Sequence, residues 1–231
     1  MFTDHDCKGI FIDNNFNDVQ LLMFADDICI INDTVGRLQK QLNVLELFCN
    51  NYGLTVNLSK TNSMVFRNGG IVRSNEKWYF ADKLIVPTKQ YKYLGILIST
   101  TMKWNTPLSH IVQQANKATF SVITNLYNKY GELPIKTCLK IFDRVIVPIL
   151  LYGSEIWGYE YREQIERVQV KFCKRLLGVS SSTPNVAVLG ECGRYPLSAL
   201  YMYRCITYWF NIVQNYENIR YPKRCYNLMH S

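Results

Sequence analysis

The sequence lacks the features that define several common protein classes. Its longest candidate for a membrane span, residues 145–152, is far shorter than the roughly 20 residues of a membrane helix. No signal peptide precedes the eight cysteines, and with three histidines and no closely spaced cysteine pair a structural zinc site is disfavoured. We therefore expect buried free thiols in an intracellular, reducing compartment, either nucleus or cytoplasm.

Acidic residues are scarce in the larger part of the chain. Residues 1–60 contain 4 Lys and Arg against 8 Asp and Glu, whereas residues 61–231 contain 22 against 10. With 48% hydrophobic and 13% aromatic residues the chain is expected to fold. The net charge of +12 after residue 60 suits a polyanionic partner such as nucleic acid, although an ordinary basic surface explains the charge equally well.

Two adjacent carboxylates, Asp26 and Asp27, stand between apolar, strand-forming runs at 19–24 and 28–31. This arrangement predicts a buried hairpin with both acids at its tip. Adjacent carboxylates repel each other unless a cation neutralises them, and a hard divalent ion such as Mg²⁺ prefers oxygen ligands. Taken alone, the pair is more simply explained as a solvent-facing turn, since aspartate favours turns.

Hydrophobic periodicity predicts a β-rich first part and a helical second part. Strands are predicted at 8–13, 18–24, 28–31, 61–66 and 93–98, with turns at 14–17 and 68–70 and a hairpin over 78–86. Helices are predicted at 34–52, 106–130, 135–157 with a kink or an end at Pro148, 161–177 and 196–213. The fold class is α+β: an antiparallel sheet with a packed helix, followed by a mostly α-helical region.

Three short motifs occur in order along the chain. They are Phe24-Ala25-Asp26-Asp27, Gly53-Leu54-x-Val56-Asn57-x-x-Lys60-Thr61 and Tyr93-Leu94-Gly95. In this order and at these separations they resemble the palm of reverse transcriptases, which are RNA-directed DNA polymerases, particularly those of LINE-like non-LTR retrotransposons. Less specific similarity to the region after the palm occurs at 152–157 and 190–197.

The resemblance implies a role for each motif. In that family carboxylates at the positions of Asp26 and Asp27 hold Mg²⁺ ions that bring the primer 3′ hydroxyl to the incoming nucleotide. Lys60 matches a lysine proposed to protonate the leaving pyrophosphate, although a solvated loop lysine explains its position as well. Tyr93-Leu94-Gly95 matches the primer grip, for which an apolar strand ending in a bend is the alternative.

The sequence also departs from that family. A further catalytic aspartate, the segment that shapes the nucleotide pocket and the fingers have no room before Asp26, and we do not assign Asp4, Asp6 or Asp13 to the missing position. We therefore expect the C-terminal palm and thumb portion of a reverse transcriptase, inactive alone and binding Mg²⁺ weakly or not at all. An RNA template, a DNA primer and a complementing N-terminal segment are the implied partners, with no membrane.

The predicted domains are a partial palm over 1–104, a thumb-like helical bundle over 105–178 and a helical C-terminal region over 179–231. A basic strip on the predicted helix 161–177 lies opposite its apolar face and is a candidate phosphate contact. Its members are Arg167, Lys171, Lys174 and Arg175. Two alternatives stay open: a nucleic-acid-binding module without catalysis, and a decaying element fragment whose sheet edge binds other chains.

Overall fold

The computed structural model describes residues 7–11, 18–67, 72–131, 133–160, 162–217 and 220–230. The predicted turns at 14–17 and 68–70, and Asp4, Asp6 and Asp13, lie outside these ranges. The chain divides into two compact units, a first unit of Met1–Tyr91 with Ile212–Ser231 and a second unit of Lys92–Asn211. The division into palm, thumb and C-terminal region remains a prediction.

The strands of the first unit are short. They are β1 (Ile10–Phe11), β2 (Asp18–Val19), β3 (Leu21–Phe24), β4 (Asp27–Ile30), β5 (Asn62–Ser63), β6 (Tyr79–Phe80), β7 (Lys83–Leu84), β8 (Val86–Pro87) and the start of β9 (Gln90–Tyr93). The pairs β1–β2, β3–β4 and β6–β7 are antiparallel, whereas β5 pairs with β8 in parallel. Among the described residues each pair is a separate two-stranded sheet, in place of the one antiparallel sheet that the sequence predicts, and the strand predicted over 18–24 is divided into β2 and β3. The strand predicted over 61–66 is thus reduced to two residues.

One long helix, α1 (Val35–Tyr52), packs on these strands. The Thr34 hydroxyl accepts a hydrogen bond from the Arg37 amide, and Gly53 closes the helix with a φ of 64°, donating its amide to the Cys49 carbonyl. These caps are the ones that the sequence predicted. Buried side chains of α1 meet Trp78, Phe80 and Ile85 in one apolar cluster.

A buried polar network ties the first strands to α1. Gln41 is fully buried, and its amide oxygen accepts a hydrogen bond from the Asn32 side chain at 3.1 Å. The same Asn32 nitrogen donates to the Lys8 carbonyl at 2.7 Å, and Gln41 donates to the Gln20 carbonyl at 3.4 Å. Because buried amides are costly unless paired, this network fixes the position of β3 against the helix.

Helices dominate the second unit after β9 ends and β10 (Ile96–Ser99) pairs with it. They are α2 (Asn105–Tyr130), α3 (Ile135–Ile141), a π-helical turn (Phe142–Ile146), α4 (Val147–Leu150), α5 (Ser154–Trp157), α6 (Glu163–Leu177), α7 (Asn185–Glu191) and α8 (Leu197–Phe210). A second π-helical turn (Asn211–Asn215) crosses the unit boundary, and α9 (Tyr221–His230) belongs to the first unit.

The predicted helix 135–157 is broken into several pieces. The π-helical turn precedes Pro148, where the proline lacks an amide donor, and residues 151–153 form a turn with Gly153 at a φ of 68°. The sequence did not predict α7 or α9, because α7 follows a loop rich in serine and α9 lacks buried residues.

The core of the second unit combines aromatic packing with satisfied polar groups. Phe142 and Phe172 stack at 4.4 Å between ring centroids. The buried Glu166 carboxylate accepts hydrogen bonds from the Leu197 and Ser198 amides, which caps the start of α8 in place of a side chain on Pro196. The three helices α6, α7 and α8 are therefore joined around one apolar cluster.

All eight cysteines lie within the described residues, and no disulfide joins any of them. Five are buried, Cys29 and Cys205 are half-buried, and Cys225 is exposed. Burial, reinforced by the neighbouring Cys192, raises the pKa of the Cys173 thiol to about 12, which makes it a packing residue and not a nucleophile. None of the helices in the described ranges has the length and apolarity needed to cross a bilayer.

Candidate functional site

The acidic pair lies at the tip of a tight hairpin, as the sequence predicted. Phe24 pairs with Asp27 across the β3–β4 ladder, so the loop consists of only Ala25 and Asp26. Ala25 has a φ of 54°, in the left-handed region that two-residue hairpin loops require at their first position. Asp27 is thus the first residue of β4 and not part of the loop.

The expectation of a buried hairpin is wrong at the tip. Met23 and Phe24 each keep 64% of their surface exposed, and Ile28 keeps 43%. Only the base of the hairpin, at Leu21 and Ile30, packs against the core of the first unit. Within the described residues no element covers the distal half, which leaves the acids flanked by exposed apolar side chains.

The donor set at this turn does not make a complete magnesium site. Mg²⁺ demands near-octahedral coordination, and the two carboxylates of Asp26 and Asp27 supply part of it. Among the described residues no group of three or more His, Cys, Asp or Glu side chains is placed to hold a metal ion. Asp26 and Asp27 could hold Mg²⁺ only together with water or substrate oxygens, which is how Mg²⁺ is commonly bound.

Hydrogen bonds to Asn57 stabilise the loop that contains Lys60. The Asn57 side-chain oxygen accepts hydrogen bonds from the Ser59 amide at 3.1 Å and the Ser59 hydroxyl at 2.6 Å, while the Asn57 carbonyl accepts from the Lys60 amide at 3.1 Å. The Tyr91 hydroxyl donates to the Lys60 carbonyl at 3.0 Å. The backbone of Lys60 is thus fixed while its side chain is exposed.

Lys60 and the acidic pair belong to the same unit. In the part of the chain that the structure describes, no ion pair joins Lys60 to Asp26 or Asp27. The assignment of Lys60 as a proton donor to pyrophosphate stays a prediction.

The third motif forms a second two-residue hairpin loop. Leu94 and Gly95 connect β9 to β10 with φ values of 47° and 86°, and the Leu94 carbonyl accepts a hydrogen bond from the Tyr152 hydroxyl at 2.7 Å. The strand predicted over 93–98 is therefore divided, because the chain reverses at Leu94 and Gly95, and a hairpin at this motif is what the resemblance to the primer grip implies. An almost wholly apolar cavity of about 360 Å³ adjoins the loop, between Tyr93 and Trp104.

The four cations of the basic strip on α6 differ in their surroundings. Arg167 pairs with Glu163 at 2.7 Å, and the Lys174 ammonium donates to the Ser181 carbonyl at 2.7 Å. Lys171 and Arg175 are exposed, one helical turn apart, and no hydrogen bond or ion pair with another described residue engages either side chain. Arg167 and Lys174 thus each have a partner within the protein, whereas Lys171 and Arg175 have none among the described residues, and phosphate contact by the strip stays a prediction.

Tyr152, which contacts the Leu94-Gly95 loop, has no role in the sequence-based prediction. It lies within the less specific similarity over 152–157. A tyrosine followed by a glycine in the left-handed region is the signal that could have drawn attention to it, because such a bend can aim the ring away from its own helix.

The segment that contains these motifs is similar to proteins of a known family. Residues 5–98 match the model of the reverse transcriptase (RNA-dependent DNA polymerase) family. The RNA-directed DNA polymerase from mobile element jockey of Drosophila melanogaster is 22% identical over 171 residues, which cover 71% of this chain and 18% of the polymerase. The chain is a relative of the reverse transcriptases of non-LTR retrotransposons.

Two further relatives agree with this assignment. A putative transposon-derived protein of Caenorhabditis elegans is 30% identical over 166 residues, covering 69% of this chain and 57% of that protein. The putative 115 kDa protein in type-1 retrotransposable element R1DM of Drosophila melanogaster is 27% identical over 194 residues, covering 78% of this chain and 19% of that protein. No solved structure matches the chain significantly.

The matched family segment contains the acidic turn, the Lys60 loop and the Leu94-Gly95 loop. The predicted relationship to LINE-like reverse transcriptases is therefore confirmed. The chain spans about a fifth of the length of the jockey polymerase and little more than half of the C. elegans relative.

Proposed function

We propose that this chain is the palm and thumb portion of an RNA-directed DNA polymerase from a LINE-like element, and that it has no polymerase activity alone. The observation that carries the proposal is the position of Asp26 and Asp27 at a two-residue hairpin turn inside the segment that matches the reverse transcriptase family. A strand end of this kind aims the carboxylates reproducibly.

The assigned residues would act as parts of a larger site. Asp26 and Asp27 would contribute carboxylates, Lys60 an ammonium near the leaving group, and the Leu94-Gly95 loop a rest for the primer end. The isolated carboxylate pair is an incomplete ligand set, and removal of charge stabilisation from such a reaction costs several kcal/mol of barrier. The portion of its relatives that this chain does not span would complete the site.

Primer extension tests this proposal. The purified chain, incubated with Mg²⁺, deoxynucleotides and an RNA template annealed to a DNA primer, is expected to give no extension. Addition of a second chain, made from the part of a related polymerase that precedes the matched segment, is expected to restore extension. Asp26→Asn should abolish the restored activity.

Two outcomes would contradict the proposal. Robust synthesis by the chain alone, lost in Asp26→Asn, would show a complete polymerase. Restored synthesis that Asp26→Asn leaves unchanged would show that the acidic turn is not part of the catalytic site.

A second candidate function is nucleic-acid binding without catalysis. Lys171 and Arg175 favour it, because both are exposed on one face of α6 while the neighbouring Arg167 is held by Glu163. Each phosphate that a protein neutralises contributes about 0.9 to the slope of log affinity against log salt for duplex DNA.

Duplex affinity measured as a function of salt concentration tests whether Lys171 and Arg175, rather than Arg167, contact phosphate. Lys171→Ala combined with Arg175→Ala is expected to lower the salt slope by about 2, whereas Arg167→Ala, the matched control, should change it much less. Binding that survives Asp26→Asn would favour this second function. If the wild-type chain does not bind duplex at low salt, or if Arg167→Ala has the larger effect, α6 is not the contact surface.

A further inference from the structure

We propose that Tyr152 is a positioning residue that holds the Leu94-Gly95 loop in place for contact with a nucleic-acid 3′ end. The inference rests on the proposed role of this loop. It concerns a residue that does not itself contact nucleic acid and acts through the backbone of the loop.

The first observation is the hydrogen bond from Tyr152 to the loop. The Tyr152 hydroxyl donates to the Leu94 carbonyl at 2.7 Å, across 58 residues of sequence. Leu94 has a φ of 47°, a left-handed conformation that a residue with a Cβ atom rarely adopts. The phenol therefore holds the one residue of the loop whose backbone most needs an external restraint.

The second observation is that the tyrosine ring lies directly on Gly95. A Cβ atom at this position would come within 3.1 Å of the Tyr152 Cε1 atom and 3.4 Å of its hydroxyl oxygen. Gly95 has a φ of 86°, so both its conformation and its lack of a side chain are required for the ring to approach. The loop and the ring are fitted to each other.

The third observation is that the tyrosine backbone is anchored in the helical core. The indole nitrogen of Trp157 donates to the Tyr152 carbonyl at 3.0 Å, and Trp157 is fully buried with its ring 5.5 Å from that of Tyr201. A Cβ atom on Gly153 would come within 2.6 Å of the Ile96 side chain, so the bend after Tyr152 lies tightly against β10.

These contacts give the loop a fixed position within its unit. The Tyr152 carbonyl is tied to a buried tryptophan and its hydroxyl to the Leu94 carbonyl, so the side chain spans from the core to the exposed tip of the hairpin. A two-residue loop without such a tie would open locally more often, and a surface that opens cannot hold a polymer end in one place.

Hydrogen exchange tests the structural part. Tyr152→Phe keeps the ring and removes the donor, and amides of residues 94–97 are expected to exchange about 3- to 10-fold faster, as loss of one net hydrogen bond allows. Tyr130→Phe, on an exposed tyrosine of α2, is the matched control and should leave these amides unchanged. Equal exchange in wild type and Tyr152→Phe would overturn the proposal.

A glycine pair tests the ring contact. Gly95→Ala and Gly178→Ala both place alanine at a left-handed position, but only Gly95 has neighbours within 4 Å of the added atom. Gly95→Ala is expected to be the more destabilising, and the excess should disappear in a Tyr152→Ala background. Equal effects of the two alanines would contradict the proposed fit.

Duplex binding tests the positioning role. The wild-type chain is expected to prefer an RNA–DNA duplex with a recessed 3′ end over a blunt one, and Tyr152→Phe should reduce that preference several-fold while leaving blunt-duplex affinity unchanged. Equal loss for both duplexes, or an unchanged preference, would overturn the positioning role. If the wild-type chain shows no preference for the recessed 3′ end, the role assigned to the Leu94-Gly95 loop is wrong. The hydrogen-exchange experiment then shows separately whether Tyr152 restrains the loop.

Discussion

Two hairpin loops of the same length differ in how far other residues restrain them. The Ala25-Asp26 loop and the Leu94-Gly95 loop each reverse the chain in two residues and each begin with a non-glycine residue at positive φ. Aromatic and aliphatic neighbours of the first, such as Phe24, are exposed, whereas the second is tied to a buried core through Tyr152.

The two loops differ in whether residues of the same unit hold them in place. The Leu94-Gly95 loop is held by contacts within its unit. The acidic loop has a fixed base but an uncovered tip, which is the geometry expected of a motif that is completed by further protein. The Leu94-Gly95 loop thus has a restraint within its unit that the acidic turn lacks among the described residues.

The largest predicted effect compares an aromatic residue near each loop. Trp157→Ala removes a fully buried ring that also holds the Tyr152 carbonyl, and is expected to destabilise by about 3–5 kcal/mol. Phe24→Ala truncates a ring that is 64% exposed and should change stability by within about 0.5 kcal/mol. Urea denaturation followed by circular dichroism measures both. Similar losses would show that the acidic turn is covered after all.

A smaller effect is expected from glycine at the first position of each loop. Ala25→Gly relieves a left-handed alanine and should stabilise by up to about 1 kcal/mol, after the cost of a more flexible unfolded chain is included. Leu94→Gly also relieves strain but loses the packing of a partly buried leucine, and should destabilise by about 1 kcal/mol. Urea denaturation measures both variants. If both changes stabilise the protein, or both destabilise it, the proposed difference between the two loops is wrong.

The smallest effect concerns acid sensitivity in the unit of the acidic turn. A hydrogen bond from the Arg73 amide, together with the Arg67 guanidinium, lowers the pKa of Glu76 below its ordinary value. Because the folded-state pKa is the lower one, this stabilisation is present at neutral pH and is lost as pH falls through the folded-state pKa. Glu76→Gln should therefore be less stable than wild type above about pH 5, with the difference shrinking in acid.

Stability measured as a function of pH tests this prediction. A difference between wild type and Glu76→Gln that stays constant down to about pH 3 would show that the carboxylate charge is not the cause. Glu46→Gln provides a matched control in the same unit, on α1.

Local sequence signals predicted several elements because their causes are local. Thr34 and Gly53 fix the ends of α1 through caps within a few residues, and the apolar spacing along α6 predicts its buried face. The acidic hairpin follows from two strand-forming runs on either side of a short loop. In each case the residues that decide the structure are neighbours in the chain.

Other features depend on residues far apart in sequence. The parallel pair β5–β8, the cap on α8 from Glu166 and the tie from Tyr152 to Leu94 each join residues more than 20 positions apart. No periodicity or turn preference encodes such contacts. The exposure of Met23 and Phe24 has the same origin, since an apolar strand is buried only if another element covers it.

The sequence alone predicted the similarity of this protein to reverse transcriptases, because its three motifs are short and ordered. It also identified the candidate functional groups, which are two carboxylates, a loop lysine and a glycine that permits close approach. Only the tertiary structure decided which of these groups are held in place, because burial, long-range hydrogen bonds and ion pairs arise when distant segments meet. That is why the hydrogen bond from Tyr152 to the Leu94 carbonyl, across 58 residues, could not be predicted from the sequence.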